Sequence, residues 1–247
     1  MNKVAILFIG RINNYKNTYS LFFKNFINNN KNIVFDIYIA TWKLTDFEKK
    51  DLEDIYNPKQ ILEYKLDDYN KFLKLNDLSL SNINTESKIN IHKIKPSGTD
   101  VFLFQYFFLY NGLNEIKKKN HYDIIIKNRF DLLFEEPFTM LLPINNNEII
   151  CPKLLCYSGT KNTNMYKEKK GNGIYRIHDP FYYGNCQSIY ILFNILTNLK
   201  KYEKKLGKAV KIVKPETIIA YHFMINSIKI NTIDLKLKIF RYIDYYN

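Results

Sequence analysis

A chain of 247 residues, 46% hydrophobic and 16% aromatic, carries too much apolar material to stay disordered and enough to bury one substantial core. Its formal charge of +13 favours anionic partners, but the lysines fall in short runs, such as Lys117-Lys118-Lys119, that suit solvated helix ends better than a binding stripe. Three cysteines (Cys151, Cys156, Cys186) without a CxxC pair do not make an even disulfide set, and Cys151 and Cys156 with a distant His would make a poor zinc site for want of a fourth ligand at metal spacing. No run approaches the roughly 20 apolar residues of a membrane helix, which fits a soluble protein of a reducing, cytoplasmic compartment.

Residues 4–9 are a short, continuous apolar run stopped by Gly10, the pattern of a strand buried on both faces. Tyr19, Phe22, Phe23, Phe26 and Ile27 then repeat at helical spacing over residues 17–28. Residues 35–40 read as a second strand ending at Thr41-Trp42. Strand, helix and strand in this order open a βαβ unit. The more polar stretch 43–95 holds a predicted helix, a short strand near 60–64 and a loop around 76–90, with no domain boundary. Residues 99–119 form a helix with few polar positions, so it is buried on most sides. A third buried strand, 123–126, delivers Lys127, Asn128, Arg129, Phe130 and Asp131 at its carboxyl end. Further on, 148–151 read as a strand, 157–176 as a long loop rich in Gly, Asn and Lys, and 188–199 as an amphipathic helix. Pro215-Glu216 opens another helix, with the acid in the dipole-favoured first turn. Residues 228–245 alternate lysine with Ile and Leu, as an edge strand followed by a tail. Strands alternating with helices predict one α/β domain over residues 1–247, with the runs 4–9, 35–40 and 123–126 as adjacent inner strands of a mostly parallel sheet.

Open α/β sheets bind ligands at strand carboxyl ends, which makes Arg129 and Asp131 the sharpest candidates. Two apart in extended chain, they point to the same side. The carboxylate suits a divalent cation and the guanidinium suits phosphate oxygens; the competing reading is a structural Arg–Asp pair that closes the strand end.

The segment YDIIIKNRFDLLF resembles the strand-end motif of a GT-A-type glycosyltransferase-like family of bacteria and large DNA viruses, in which Arg-x-Asp-Leu takes the place of Asp-x-Asp. Supporting blocks fall in matching order: KVAILFIGRINN, FDIYIATW, FLFQYFFLYNGLNEIKK, HDPFYYGNCQSIYILFNIL and KPETIIAYHF. The resemblance implies a GT-A (Rossmann-like) fold and transfer of a sugar from a nucleotide-diphosphate donor, such as a UDP-sugar, to a glycan or other hydroxyl acceptor. It places the nucleotide on the first strand-turn-helix unit, with Gly10 allowing close approach and Arg11 meeting the base or a phosphate. Thr41 and Trp42 would edge or stack on the base, unless Trp42 packs in the core. Lys127 and Arg129 would line the phosphate site. Asp131 alone is carried over as a ligand for Mn2+ or Mg2+, with His222 as a possible second; a helical His is more often a core residue. Because Arg129 stands where the first acid would be, it is also a candidate to supply part of the charge that a cation gives elsewhere. Asp179 is placed facing the sugar, to deprotonate an acceptor or hold a hydroxyl; the structural alternatives are that it caps the helix that follows or bonds the turn made by Pro180. Two rivals remain at this level: a basic nucleic-acid-binding protein, disfavoured because the aromatics sit in core-like runs, and a transferase fold that only binds.

Overall fold

In the computed structural model, residues 2–12, 14–78, 98–119, 121–142, 144–153, 179–202 and 215–240 are described. The predicted loop at 157–176, most of that at 76–90 and the tail beyond residue 240 lie outside them.

The strands are β1 (Lys3–Ile9), β2 (Val34–Trp42), β3 (Gln60–Tyr64), β4 (Ile124–Arg129), β5 (Leu132–Phe134), β6 (Glu148–Pro152), β7 (Tyr182–Asn185), β8 (Lys229–Ile233) and β9 (Leu237–Ile239). Seven of them form one sheet in the order β3-β2-β1-β4-β7-β6-β8, and β5 pairs with β9 in a small antiparallel sheet. Every pairing in the large sheet is parallel except those of β7, which runs against β4 and β6. The three runs expected at the centre are adjacent there, as β2, β1 and β4.

Burial on both faces explains why β1 reads as an unbroken apolar run. Ala5, Leu7 and Ile9 join one buried cluster, and Val4, Ile6 and Phe8 join the other. The first face is covered by α3 (Leu66–Leu75), α4 (Gly98–Lys119) and α6 (Pro215–Ile225); the second by α1 (Tyr15–Asn25), α2 (Asp46–Tyr56) and β5. α4 sinks Phe102, Leu103, Tyr106, Phe107, Phe108, Leu109, Leu113 and Ile116 into the first cluster. At about 1.5–3 kcal/mol for each large side chain fully buried, this helix is the main clamp on that face. Among the described residues no helix is long and apolar enough to cross a membrane.

Of the departures from the expected elements, which include α3, β5 and the separate strand β9, two have identifiable causes. The predicted helix at 188–199 is a short α5 (Cys186–Tyr190) followed by 3-10 turns at Ile191–Asn194 and Leu196–Asn198. Side chains from neighbouring helices take the carbonyls that a continuous helix would use: His222 Nε2 donates to Ile191 O (2.9 Å), and Tyr106 Oη to Leu192 O (2.7 Å) and Phe193 O (3.2 Å). The strand β7 was not anticipated because it spans only four residues and contains Gly184. That glycine has a packing reason: a β-carbon there would sit 3.0 Å from Glu148 O and from Ile149 Cγ2.

Candidate functional site

The chain lays down β1, β2 and β3 outward in one direction, then returns to place β4 on the other flank of β1. This reversal makes a crevice beyond the carboxyl ends of β1 and β4, the position where open α/β sheets hold ligands. Ile9 is in register with Arg129 across β1–β4 and with Ala40 across β1–β2. Gly10-Arg11, Thr41-Trp42 and Phe130-Asp131 therefore leave the sheet at one edge.

A cavity of about 410 Å³ opens there, within the range of small-molecule sites. Gly10, Arg11, Trp42, Arg129 and Asp131 line it, together with Ile9, Phe130 and, from other elements, Asn14, Phe104, Gln105 and Phe108. Gly10 has φ +97°, a conformation that side chains other than glycine's disfavour, and its N–H is tied to Ala40 O at 3.1 Å. This turn bends the chain after β1 and presents Arg11, which is exposed and pairs with no carboxylate among the described residues.

Arg129 and Asp131 make a two-point ion pair: Nε donates to Oδ1 at 2.9 Å and Nη2 to Oδ2 at 2.5 Å. Both side chains remain partly open, 28% and 18% exposed, so the pair forms part of the cavity wall. The turn between them is pinned from below. The Phe130 ring stacks on Phe8 with centroids 4.9 Å apart, its carbonyl accepts from Thr18 Oγ1 (2.5 Å), and Asp131 O accepts from Phe240 N (2.7 Å).

Trp42 does two things. Its ring packs edge-on against Phe108 (4.7 Å) and near Phe104 (6.4 Å) and Tyr69 (6.3 Å), and it also borders the cavity. The core and ligand readings of this residue are thus geometrically compatible. Two polar groups complete the wall. Asn14 Nδ2 donates to Phe240 O at 2.9 Å, which fixes the amide with Oδ1 turned away. Asn14 Oδ1 and Gln105 Oε1 are both buried with no hydrogen-bond partner among the described residues. Leaving such an acceptor unmatched costs about 1–3 kcal/mol.

Four sequence-level candidates do not line this cavity. Thr41 is buried at the end of β2. Lys127 and Asp179 form a buried pair, 1% and 4% exposed at the side chain, with Nζ 3.1 Å from Oδ1; Nζ also donates to the Asp179 carbonyl. Burial pushes the Lys127 ammonium below the ordinary lysine value, and the Asp179 carboxylate opposes that shift. His222 is buried in the core, with Nε2–H on Ile191 O and Nδ1 accepting from Tyr202 Oη at 2.8 Å. Both ring nitrogens are occupied, which removes the lone pair a metal would need, and burial lowers the pKa of this imidazole.

Asn14, Phe104, Gln105 and Phe108 carried no functional signal in the sequence. Asn14 looks like one more loop asparagine, and the three α4 residues sit in a run that reads as core.

No protein-family model matches the chain, and neither does any curated protein. Among solved structures it is similar to the WbbM bifunctional glycosyltransferase in its apo form, at 14% identity and a TM-score of 0.47. The similarity covers 94% of this chain and 38% of that one, so the chain spans well under half of the neighbour's length.

Proposed function

We propose that this chain is a GT-A-type glycosyltransferase that holds a nucleoside-diphosphate sugar in the cavity beyond β1, β2 and β4 and passes the sugar to a hydroxyl acceptor such as a glycan. The observation that carries this reading is the composition of one wall set: two guanidinia, an aromatic face and two side-chain amides around a single cavity, the amide oxygens having no partner among the described residues. Each part of a nucleotide finds a chemical match. Ionised phosphates carry no donor hydrogens, so they belong beside Arg11 and Arg129. Ribose hydroxyls and base N–H groups are donors, which Asn14 Oδ1 and Gln105 Oε1 lack. A flat base suits the ring surface of Trp42 and Phe108. The resemblance of the Arg129-x-Asp131-Leu132 segment to the glycosyltransferase-like motif favours the same assignment.

In the transfer, the acceptor oxygen bonds to the anomeric carbon as the bond from that carbon to the β-phosphate oxygen breaks. The electron pair leaves with the diphosphate, and the acceptor hydroxyl's proton passes to solvent water. Fixed cations beside the departing phosphate lower the barrier because negative charge grows there; removing one preorganised contact of this kind costs about 100-fold in rate. Lys127 and Asp179 act on this reading as positioning residues: their pair ties the start of β7 to β4, the strand that carries Arg129.

The resident metal that GT-A resemblance implies, Mn2+ or Mg2+, does not fit the residues present. Among the described residues Asp131 is the one carboxylate in the cavity lining, and both of its oxygens are held by Arg129. Among the described residues no group of three His, Cys, Asp or Glu side chains is placed to hold a cation.

The test is a thermal-shift panel of UDP-, GDP-, CDP- and dTDP-sugars, followed by assay of sugar release from any that bind. Stabilisation by at least one nucleotide sugar, competed by its free nucleoside diphosphate, is expected. A panel in which none binds, while polynucleotide does with strong salt dependence, would overturn the reading in favour of a nucleic-acid partner.

A further inference from the structure

We infer that the cavity binds its diphosphate without a divalent cation: Arg129 and Arg11 are the fixed positive charges, and Asp131 is a positioning residue that aims the Arg129 fork. This rests on the nucleotide reading of the cavity and specifies how its phosphates are held.

The argument begins with the Asp131 carboxylate. A Mn2+ or Mg2+ ion takes oxygen ligands at about 2.1 Å in near-octahedral geometry and draws on carboxylates that face it. Here the face of the carboxylate is filled by a guanidinium, with Nε on one oxygen and Nη2 on the other. An ion seated there would have to break two charge-assisted bonds and displace a like charge. Among the described residues no second ligand compensates: His222 spends one nitrogen on Ile191 O and the other on Tyr202 Oη.

The same contacts make the guanidinium a better fixed charge. A two-point pair sets the plane of the fork as well as its position. Its anchor is rigid, because Asp131 is tied through its carbonyl to Phe240 N and Phe130 is wedged against Phe8 and Thr18. Among the described cavity-lining residues two guanidinia stand with one carboxylate, so the lining they form is basic. Arginine keeps that charge at any working pH, so phosphate binding needs neither a metal supply nor a titrating group.

The test is calorimetric titration of the full chain with UDP, GDP, CDP and dTDP, each in excess EDTA and again in excess MnCl2. The nucleotide that binds should do so with a Kd that agrees within about twofold between the two buffers. Arg11→Ala, a change at an exposed side chain that leaves the core intact, should weaken it by about tenfold in both buffers, the scale of one lost charge-assisted contact. Asp131→Asn keeps an acceptor for the fork and should bind far better than Asp131→Ala, again with no difference between buffers. Binding at least tenfold tighter with Mn2+, and a gain that disappears in Asp131→Asn, would overturn the metal-free inference while leaving the nucleotide site standing. Absence of nucleotide binding in both buffers would remove the proposed function and this inference together.

Discussion

The most informative perturbation lies just outside the cavity. Lys127→Met deletes the ammonium of the buried pair and keeps the length and apolar stem of the side chain. In the native protein Nζ stands 3.1 Å from Asp179 Oδ1 with 1% and 4% of the two side chains exposed, so water cannot take over when the partner is lost. The Asp179 carbonyl, which also accepts from Nζ, loses its bond in the same step. Removing one member of a buried pair typically costs about 3–5 kcal/mol. For a chain of this size each 1 kcal/mol corresponds to a Tm shift of about 2–4 °C, giving a drop on the order of 10 °C. The double variant Lys127→Met/Asp179→Asn removes both charges and should recover much of the loss, because well-packed neutral replacements of buried pairs are often neutral in stability. Urea denaturation of the three proteins, checked for coincident transitions by two probes, measures this. A loss under about 1 kcal/mol in the single variant would refute the structural role. So would intact stability with lost nucleotide affinity, which would return Lys127 to the ligand-contacting role that strand position alone suggests.

Other consequences are as direct. Gly10→Ala places a β-carbon at φ +97° and should cost about 1–2 kcal/mol, visible as a lower Tm; nothing else lies within 4 Å of that β-carbon, so an unchanged Tm would mean the turn adopts another conformation. Gly184→Ala drives a β-carbon to 3.0 Å from the Glu148 carbonyl, a backbone atom that cannot swing away, and should destabilise by about 1–3 kcal/mol in denaturant. His222 has its pKa lowered by burial, so the folded state binds fewer protons than the unfolded one below the ordinary value near 6.5. Its contribution is therefore fully present above that pH and is lost as pH falls from there through the folded pKa. The Tm of the wild type should fall relative to that of His222→Gln over that acidic window, and parallel Tm-against-pH curves would contradict the assignment.

The central sheet was legible because its inner strands are buried on both faces, which forces apolar runs at residues 4–9 of β1, 37–40 of β2 and 124–126 of β4. The strand-end residues were legible for the same reason. A buried strand that ends in Gly10-Arg11, Trp42 or Arg129-Phe130-Asp131 places polar or ring groups where a sheet opens, and all five of Gly10, Arg11, Trp42, Arg129 and Asp131 line one cavity. What failed was partner identity. Lys127 follows the same strand rule but is buried in a pair with Asp179, 52 residues away in sequence. No local pattern reports a partner at that separation. The α4 contribution was hidden by the opposite problem. A helix that packs on most sides gives no polar stripe, so Gln105 stood out no more than its aromatic neighbours. The breakup of 188–199 into short turns was equally unreadable, since it depends on donors from Tyr106 and His222 that arrive only with the tertiary fold.

Trp42 is the only tryptophan in the chain, and it borders the cavity while packing on Phe108. Its emission therefore reports directly on that wall. Titration of the wild type with a nucleoside diphosphate, followed by tryptophan fluorescence, should give a saturable change whose midpoint matches the calorimetric Kd and moves to higher concentration in Arg11→Ala. Calorimetric binding with no change in Trp42 emission, or an emission change unaffected by Arg11→Ala, would show that the nucleotide sits elsewhere and would contradict the account.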